Sequence, residues 1–481
     1  MINISRRKIL SGAGSAGLLA ASGLTEAASP AGKPLPKRGE FTVRGAYVLT
    51  FDSKLGDLPK GDIHIRNGEI VAVGERLKAG GAEIDGAGFI AMPGFVDTHQ
   101  HMWTASFRGV TQDPKQYGYF AAKAKFGPLS APEDTYRAIR LCMVQALNSG
   151  ITTVNDIANN IRDGGHADAT LRAHAESGLR SRFSYGPFDG MAPDQPTDFA
   201  DVERIRQKIA AGAGEGLVGF GVQLRPPPIG PAASPSSFSA RDAKSFEIYK
   251  SDYAKARQMG LPIAVDGINN DGILQAAADG FLSPDFLCIH ALGTTKEARQ
   301  AMKTAGAAYS CSPFTEFASL VGMPVIAEML ADGVLTTLSV DSTSNADSNM
   351  FTVARVAMDV VRLTNKDPFT YTMRDALGLA TIDGAKALRL DDQTGSLTPG
   401  KRADLILVRT QSLNLGVTPN ANPYRLMISA QTEDVDTVIV DGRVLKRGGR
   451  LMGIDTPTIL REAAESIAGL RKRANWPEGA L

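Results

Sequence analysis

The feature that most constrains this chain is a repeat of eight short apolar segments that alternate with helical segments between residues 95 and 340. β-Branched and apolar residues dominate the short segments, as in buried strands, whereas segments such as 133–148 and 170–177 have helical periodicity. The strands are predicted around Phe95 and at residues 151–154, 182–185, 218–224, 262–265, 286–289, 307–310 and 336–340. Eight strand–helix units are the repeat of a closed parallel barrel, so we predict an α/β fold with a (β/α)8 TIM barrel.

Polar side chains stand where the predicted strands end. A TIM barrel carries its chemistry at the carboxyl ends of its strands, so these positions are the candidate site. They are His99, His101, Asp156, Tyr185, Gln223, Asp266, His290, Ser312 and Asp341.

Two of the six histidines of the chain, His99 and His101, stand two residues apart at the end of the first predicted strand. The strand period of two points both imidazoles to the same side. Neutral imidazole suits zinc, iron, nickel or copper, and such a pair needs further ligands from elsewhere in the chain. The alternative is a pair of hydrogen-bonded histidines on a strand edge, without a metal.

Short strands also precede the barrel, between residues 40 and 90. Asn67-Gly68 between two alternating runs is typical of a β-hairpin, so we predict a small antiparallel sheet there, with His64 in a structural role. The run from 457 to 472 has helical periodicity and is predicted to pack on the outside.

The composition limits the class of protein. With 43% hydrophobic residues and a net charge of +1, the chain can bury a large core and has no electrostatic bias toward nucleic acid or anionic membranes. The three cysteines, Cys142, Cys288 and Cys311, lack metal-type spacing and are predicted to be buried free thiols.

The first thirty residues have the basic, apolar and small-residue regions of an export signal, with paired arginines at Arg6 and Arg7. We therefore expect a twin-arginine-type signal peptide at 1–30 and a periplasmic or secreted protein. The apolar run is too short and glycine-rich for a transmembrane helix, so no stable membrane insertion is expected after cleavage.

The motif Pro93-Gly94-Phe95-Val96-Asp97-Thr98-His99-x-His101 resembles the first-strand signature of the amidohydrolase superfamily, in the branch of cytosine deaminase and the s-triazine chlorohydrolases. Ser339-Val340-Asp341-Ser342 is similar to the eighth-strand motif, whose Asp binds metal and handles a water proton. Cys288-Ile289-His290-Ala291 resembles the sixth-strand motif, whose His faces the substrate, and Ser312-Pro313-x-x-Glu316 resembles a loop after strand seven.

The resemblance also implies the domain organisation. Segments 381–390, 394–405 and 438–443 match the closing helix and returning strands of the family. The expected domains are the two parts of a small β-sandwich at 31–91 and 391–450, the inserted TIM-barrel domain at 92–390, and a helical extension at 451–481.

The chain departs from the family at the fifth strand, where Asp266 replaces a metal-binding His and Asn269 replaces the proton-shuttling Glu of the deaminases. Asn has no useful protonation chemistry near neutral pH, which argues against an ordinary nucleobase deaminase. A carboxylate can replace imidazole, so the expected metal ligands are His99, His101, Asp266 and Asp341 around one divalent ion, with zinc favoured over iron or manganese. The alternative places Asp266 in the substrate pocket, with the metal weak or lost.

The predicted function is metal-dependent hydrolysis of a non-peptide C–N bond, in a cyclic or aryl amide or a related small molecule, by a metal-activated water. Asp341 is expected to transfer the proton and His290 to polarise the carbonyl. The candidate substrate contacts, for which loop packing is the alternative role, are Trp103, Tyr185, Gln223, Asn269, Glu316 and His166.

Two other classes of function remain open from the sequence. One is a non-hydrolytic enzyme of the same fold, such as a decarboxylase, lyase or isomerase, and the other is a catalytically silent binding homologue. The expected partners are a small-molecule substrate and further copies of the chain, with no nucleic acid. His174 is expected on a helix surface, away from the site.

Overall fold

The structure, a computed structural model, describes residues 35–229, 243–319, 322–418 and 420–479. The predicted signal peptide lies outside these residues. The first described strands are β1 (Glu40–Val48), β2 (Leu58–Arg66), β3 (Glu69–Gly74), β4 (Ala82–Asp85) and β5 (Phe89–Pro93). The predicted hairpin is present, because β2 and β3 pair antiparallel and both Asn67 and Gly68 have a positive φ. His64 lies in β2 with Nε2 3.1 Å from Oε1 of Glu40, as expected of a structural residue.

Eight parallel strands follow and form the predicted barrel. They are β6 (Phe95–Gln100), β7 (Ile151–Ala158), β8 (Arg180–Tyr185), β9 (Val218–Gln223), β10 (Ile263–Val265), β11 (Phe286–Ile289), β12 (Ala308–Cys311) and β13 (Leu335–Leu338). Each strand pairs with the next in sequence. Every residue of β6, β7 and β8 is buried, as required of strands that are covered on both faces.

The barrel closes just beyond the ends of β6 and β13. The Asp341 N–H donates to the His99 carbonyl at 2.9 Å, and the His101 N–H donates to the Asp341 carbonyl at 2.7 Å. The carboxylate of Asp97 accepts the N–H of Val340 at 3.1 Å in the same seam, and burial raises the pKa of Asp97 to about 8. The first and last strands therefore meet at the end of the barrel where chemistry is expected.

Helices connect the strands and cover the outside of the barrel. They are α1 (Tyr119–Phe126), α2 (Pro132–Asn148), α3 (Gly164–Ser177), α4 (Phe199–Ala210), α5 (Ala243–Gln258), α6 (Asn270–Ala278), α7 (Lys296–Ala305), α8 (Pro313–Ala318), α9 (Ile326–Ala331), α10 (Met350–Asn365), α11 (Met373–Leu379), α12 (Ile382–Ala387), α13 (Pro423–Ser429) and α14 (Thr456–Ala474). The helix α14 packs on α2, where Arg140 NH1 donates to Glu462 Oε2 at 2.9 Å. None of the helices within the described residues has the length and apolarity needed to span a bilayer.

The C-terminal strands β14 (Leu405–Arg409), β15 (Val435–Val440), β16 (Arg443–Arg447) and β17 (Arg450–Leu451) complete a separate sheet. Its strand order is β17-β16-β15-β14-β5-β1-β2-β3, with β4 on β1. Because β5 pairs with β14, the two ends of the chain build one β-sheet domain and the barrel is inserted between them, as predicted. The sheet is mixed and not purely antiparallel, since β4 and β5 both run parallel to β1. The exact residue limits of the domains remain a prediction.

A buried ion pair joins this sheet to the barrel. Arg180, the first residue of β8, donates through Nε to Oδ2 of Asp404 at 2.6 Å, and both side chains are almost completely buried. Oδ1 of Asp404 also accepts the N–H of Asp441 at 2.7 Å. The three cysteines are buried and free, as predicted.

Candidate metal centre and active site

The two imidazoles at the end of β6 lie side by side, with their ring centroids 4.6 Å apart. Both rings are buried, because β6 is enclosed by its neighbours on either side. Nδ1 of His101 lies 3.3 Å from the carbonyl oxygen of Ile157, an acceptor that favours a hydrogen on this nitrogen. Nδ1 of His99 is buried without a hydrogen-bond partner in the described part of the chain. Burial lowers the pKa of His99, which favours the neutral ring.

Asp341 faces both imidazoles across the seam of the barrel. Its Oδ1 lies 3.2 Å from Nε2 of His99 and 3.5 Å from Nε2 of His101. The backbone of Asp341 has a φ of +70°, which is rare for a residue other than glycine, and its two backbone hydrogen bonds to β6 hold that conformation. Although burial opposes ionisation, the hydrogen bond to His99 and the neighbouring imidazoles lower the pKa of Asp341.

Asp266 follows β10 and reaches the same group from the opposite side. Its Oδ2 lies 3.2 Å from Nε2 of His101, and its Oδ1 lies 3.4 Å from Nε2 of His290. Burial opposes ionisation of Asp266, but the hydrogen bond to His101 and the charges of the imidazoles outweigh it and hold its pKa far below the usual range. The same carboxylate raises the pKa of His101 against the effect of burial.

His290 follows β11, and a buried acid fixes the orientation of its ring. Nδ1 lies 2.8 Å from Oε1 of Glu316, which also accepts the backbone N–H of Ser312 at 3.1 Å, and the Cys311 thiol donates to Oε2 of Glu316 at 3.5 Å. Burial lowers the basicity of the ring, but Glu316 outweighs it and raises the pKa of His290 to about 9. His290 also has a positive φ, of +65°. Glu316 therefore directs Nε2 of His290 toward the two aspartates.

These five side chains fit a divalent cation. Two atoms that each bind one tetrahedral zinc ion at about 2.0 Å lie about 3.3 Å apart. The observed nitrogen–oxygen separations of 3.2, 3.2, 3.4 and 3.5 Å are close to that spacing, and the separation between Nε2 of His290 and Oδ2 of Asp341 is longer, at 3.9 Å. Two sets of three residues each have ligand atoms that all lie within 4.8 Å of one another. One set is His99, His290 and Asp341, and the other is His99, His101 and Asp266. The structure therefore brings together all four predicted ligands and places His290 beside them.

Most of the predicted substrate contacts have hydrogen-bond partners within the protein. The Tyr185 hydroxyl donates to Oδ2 of Asp201 at 2.9 Å, and Nε1 of Trp103 donates to Oδ1 of Asn159 at 2.7 Å. His166 lies with Nδ1 2.9 Å from Asp163 and Nε2 3.0 Å from the carbonyl oxygen of Ser130. Both ring nitrogens of His166 are thus used, one at the start of α3 and the other toward the segment that precedes α2.

The remaining predicted contacts divide between structural and open roles. Asn269 caps α6, because its Oδ1 accepts the N–H of Gly272 at 2.7 Å, and Glu316 lies behind His290. Gln223, at the end of β9, donates to the carbonyl of Leu224 at 3.1 Å. Its Oε1 is buried with no hydrogen-bond partner among the described residues. Substrate contact by these residues stays a prediction.

The prediction that His174 lies on the surface of a helix is wrong. Only 1% of the residue is exposed, and its Nε2 lies 3.0 Å from Oδ2 of the equally buried Asp156. Oδ1 of Asp156 accepts the N–H of Met102 at 3.3 Å. The surface of α3 that carries His174 faces the barrel, so this histidine helps to fix the chain that leaves the metal centre.

A second group of polar residues consists of Tyr119, Lys123 and Asp189. The sequence did not indicate this group. Lys123 is 4% exposed, and its Nζ lies 3.0 Å from Oδ2 of Asp189. Tyr119 and Lys123 are four residues apart on α1 and therefore share one face of that helix. That spacing is the only signal the sequence carried, and it lies in a segment without clear periodicity.

Comparison with known proteins identifies the family. The sequence model of the amidohydrolase family matches residues 90–445. The chain belongs to this family. A 5'-deoxyadenosine deaminase of Methanosarcina mazei is 28% identical over 457 residues, which cover 91% of this chain and 99% of that protein. A 5-methylthioadenosine/S-adenosylhomocysteine deaminase of Desulforudis audaxviator is 28% identical over 448 residues, which cover 89% and 98%.

Solved structures share the fold of this amidohydrolase. A zinc-bound adenosine deaminase from Xanthomonas campestris superposes with a TM-score of 0.76 at 19% identity and covers 91% of this chain and 100% of its own. An atrazine chlorohydrolase from Arthrobacter aurescens TC1 complexed with zinc gives a TM-score of 0.73 at 21% identity, with coverage of 89% and 100%.

Three predictions are confirmed at the level of the family. The resemblance to the amidohydrolase superfamily is confirmed, as is the barrel inserted in a β-sheet domain. The general function is confirmed as well, since the chain is a metal-dependent hydrolase that acts on carbon–nitrogen bonds other than peptide bonds. A divalent metal and a small-molecule substrate follow from that function.

Proposed function

We propose that this amidohydrolase holds one zinc ion between His99, His101, Asp266 and Asp341 and uses it to hydrolyse a cyclic or aryl amide. The convergence of these four side chains carries the proposal, since each ligand atom lies 3.2–3.5 Å from another in the set. Asp266 supports zinc binding because one of its oxygens faces Nε2 of His101 and the other faces Nε2 of His290.

A divalent ion at this centre supplies Lewis acidity, which makes water acidic enough to react near neutral pH. Asp341 accepts the proton of the attacking water and delivers it to the leaving nitrogen. Its lowered pKa keeps the carboxylate ionised and ready to accept, and its backbone hydrogen bonds to His99 and His101 hold it in place. His290, whose ring Glu316 fixes through Nδ1, stabilises through Nε2 the charge that develops on the carbonyl oxygen of the substrate.

The second candidate is deamination of an amino-heterocycle, which the similarity to two deaminases of nucleosides favours. Asn269 argues against it. This side chain caps α6 and cannot exchange protons near neutral pH, so the chain lacks an acid at the position that shuttles protons in the deaminases that it resembles. We therefore place amides ahead of amino-heterocycles.

A substrate panel decides between the two reactions. Zinc-loaded protein is incubated with lactams, ureas, anilides and aminated heterocycles in 18O-labelled water. Hydrolysis places one solvent oxygen in the acyl product: an anilide gives a carboxylate and a free amine, a lactam opens to an amino acid, and a urea gives a carbamate and an amine. Deamination of a heterocycle instead releases ammonia and places the oxygen on the ring. Ammonia release from heterocycles, with no turnover of any amide, would overturn the preference for amides.

We also propose that residues 1–30 direct the folded protein through the twin-arginine route and that the mature chain self-associates. The paired arginines Arg6 and Arg7 support the first point. Replacement of both arginines by lysine should leave the protein in the cytoplasm of an expressing bacterium.

The proposed self-association is tested separately, by light scattering of the mature chain, which measures its subunit number.

A further inference from the structure

A helix at the mouth of the barrel brings a cation close to the metal centre. Lys123 lies on α1 and is almost completely buried, with its Nζ 3.0 Å from Oδ2 of Asp189. Burial lowers the pKa of this lysine, but the charge of Asp189 and, more weakly, that of Asp266 raise it well above its usual range. Its charge in turn acts to lower the pKa of His101. Lys123 is therefore charged, and it lies within electrostatic reach of two proposed metal ligands.

The protein does not satisfy all the N–H donors of the Lys123 ammonium group within the described residues. An ammonium carries three N–H donors, and Asp189 is the only acceptor that contacts Lys123 within the described residues. Arg162 lies close to the same residue, since its Nη2 donates to the backbone carbonyl of Asp189 at 3.2 Å, while the carboxylate of Asp189 contacts Lys123. A lysine that was only a structural partner of Asp189 would be costly to bury in this way.

A second unsatisfied group stands one helical turn away. The Tyr119 hydroxyl oxygen is buried and makes no hydrogen bond of normal geometry within the described residues, although it lies near Ser342, the neighbour of Asp341. The ring of Tyr119 also lies under Lys123, with Nζ 5.5 Å from the ring centroid. One face of α1 thus presents an ammonium and a hydroxyl on the same side of the metal centre.

We propose that Lys123 and Tyr119 bind an anionic group of the substrate, so that the enzyme acts on amides that also carry a carboxylate. The inference rests on the proposed amide hydrolysis and specifies its substrate class. Lys123 supplies a charge-assisted hydrogen bond, Tyr119 supplies a second donor, and Asp189 holds the ammonium in place. 5'-Deoxyadenosine has no anionic group for this pair to bind, whereas S-adenosylhomocysteine carries a carboxylate. The proposed specificity therefore differs from that of the 5'-deoxyadenosine deaminase that the chain resembles.

Binding of matched probes tests the proposal. Isothermal titration calorimetry of the zinc-loaded protein compares benzoate with benzamide and N-benzoylglycine with its primary amide. A charge-assisted hydrogen bond corresponds to about a 10- to 100-fold difference in affinity, so each acid should bind at least about 10-fold more tightly than its amide. Lys123→Met should reduce that preference to less than about 2-fold. Lys125→Met, an exposed lysine on the same helix, should leave it unchanged.

Equal affinity of the wild-type protein for each acid and its amide would overturn the inference. A preference for the acid that survives in Lys123→Met would also overturn it, because the metal alone would then bind the acid. If Lys123→Met fails to fold with Asp189 unpaired, the double variant Lys123→Met/Asp189→Asn removes both charges and provides the same comparison. Hydrolysis of neutral anilides without any preference for acids would leave the proposed function standing and refute this inference. Tight binding of acids that Lys123→Met abolishes, without turnover of any amide, would refute the proposed amide hydrolysis and leave only anion binding by Lys123 and Tyr119 standing.

Discussion

Nδ1 of His290 lies 2.8 Å from Oε1 of Glu316, a carboxylate that is completely buried behind the metal centre. The two residues are 26 positions apart, and the contact forms because β11 and β12 are neighbours in the barrel. Such a carboxylate fixes the tautomer and the orientation of the imidazole and raises its basicity. The proposed role of His290 depends on this contact.

Glu316→Gln keeps the size and the acceptor oxygen of the side chain but removes its charge. We expect kcat to fall about 10- to 100-fold, the usual effect of losing such an orienting carboxylate, while the zinc content stays near that of wild type. Steady-state kinetics and elemental analysis on one preparation measure both quantities. An unchanged kcat would show that His290 needs no charged partner.

Asp341→Asn tests the proton transfer. The amide keeps the shape of the side chain and cannot accept the proton, so turnover should fall about 100- to 10,000-fold. The thermal unfolding transition should persist, because the backbone hydrogen bonds of residue 341 to β6 do not involve the side chain. Turnover near the wild-type level would assign the proton to another group.

The buried ion pair of Arg180 and Asp404 should stabilise the contact between the barrel and the β-sheet domain. Asp404→Asn removes the nearer of the two carboxylates that face Arg180, the other being Asp441 with Oδ1 3.8 Å from Nη2, and breaking such a buried pair costs about 3–5 kcal/mol of the free energy of unfolding. The exposed pair of Arg206 and Glu203 is the control, where Glu203→Gln should cost less than about 1 kcal/mol. Urea unfolding monitored by circular dichroism compares the two variants. An equal loss in the free energy of unfolding for the two variants would mean that the contact between the barrel and the β-sheet domain does not depend on this pair.

Lys446 should make stability depend on pH. Its side chain is buried on β16 and donates to the carbonyl of Asn148 at 2.6 Å, and burial, together with the charge of Arg409, lowers its pKa from 10.5 to about 8. Between these two pH values the folded protein binds fewer protons at this site than the unfolded chain, so the contribution of Lys446 to the free energy of unfolding rises with pH.

Urea unfolding of wild type and Lys446→Met at pH 7, 8, 9 and 10 measures this effect. The free energy of unfolding of wild type minus that of the variant should increase across the series. The corresponding difference for Lys472→Met, on the exposed face of α14, should stay flat. A difference that falls with pH for Lys446→Met would contradict the direction of the pKa shift.

The sequence predicted the residues whose positions depend on strand periodicity and strand ends. His99 and His101 follow from the period of two, and Asp266, His290 and Asp341 follow from the rule that a barrel places its chemistry at the carboxyl ends of its strands. The positive φ angles of His290 and Asp341 could not be predicted, because neither residue is a glycine and, for Asp341, the backbone hydrogen bonds that hold this conformation form where the first and last strands of the barrel meet.

The supporting residues were harder to predict because their roles depend on contacts between distant elements. Glu316, a predicted substrate contact, lies behind His290, since the turn after β12 directs its side chain inward. The sequence predicts a surface position for His174, because no pattern in α3 distinguishes a histidine that pairs with Asp156 from one in solvent. Lys123 was missed because the segment around α1 lacks the periodicity that marks a helix face.

The most direct test of the four-ligand centre is the metal content of the purified chain. Protein is loaded with zinc, passed through a desalting column and measured by elemental analysis, alongside Asp266→Ala and the control Asp271→Ala, an exposed aspartate of the same region. We predict about one zinc ion per chain for wild type and for Asp271→Ala, and less than about a tenth of that for Asp266→Ala. A wild-type chain that retains no zinc, or an Asp266→Ala variant that binds it undiminished, would contradict that centre.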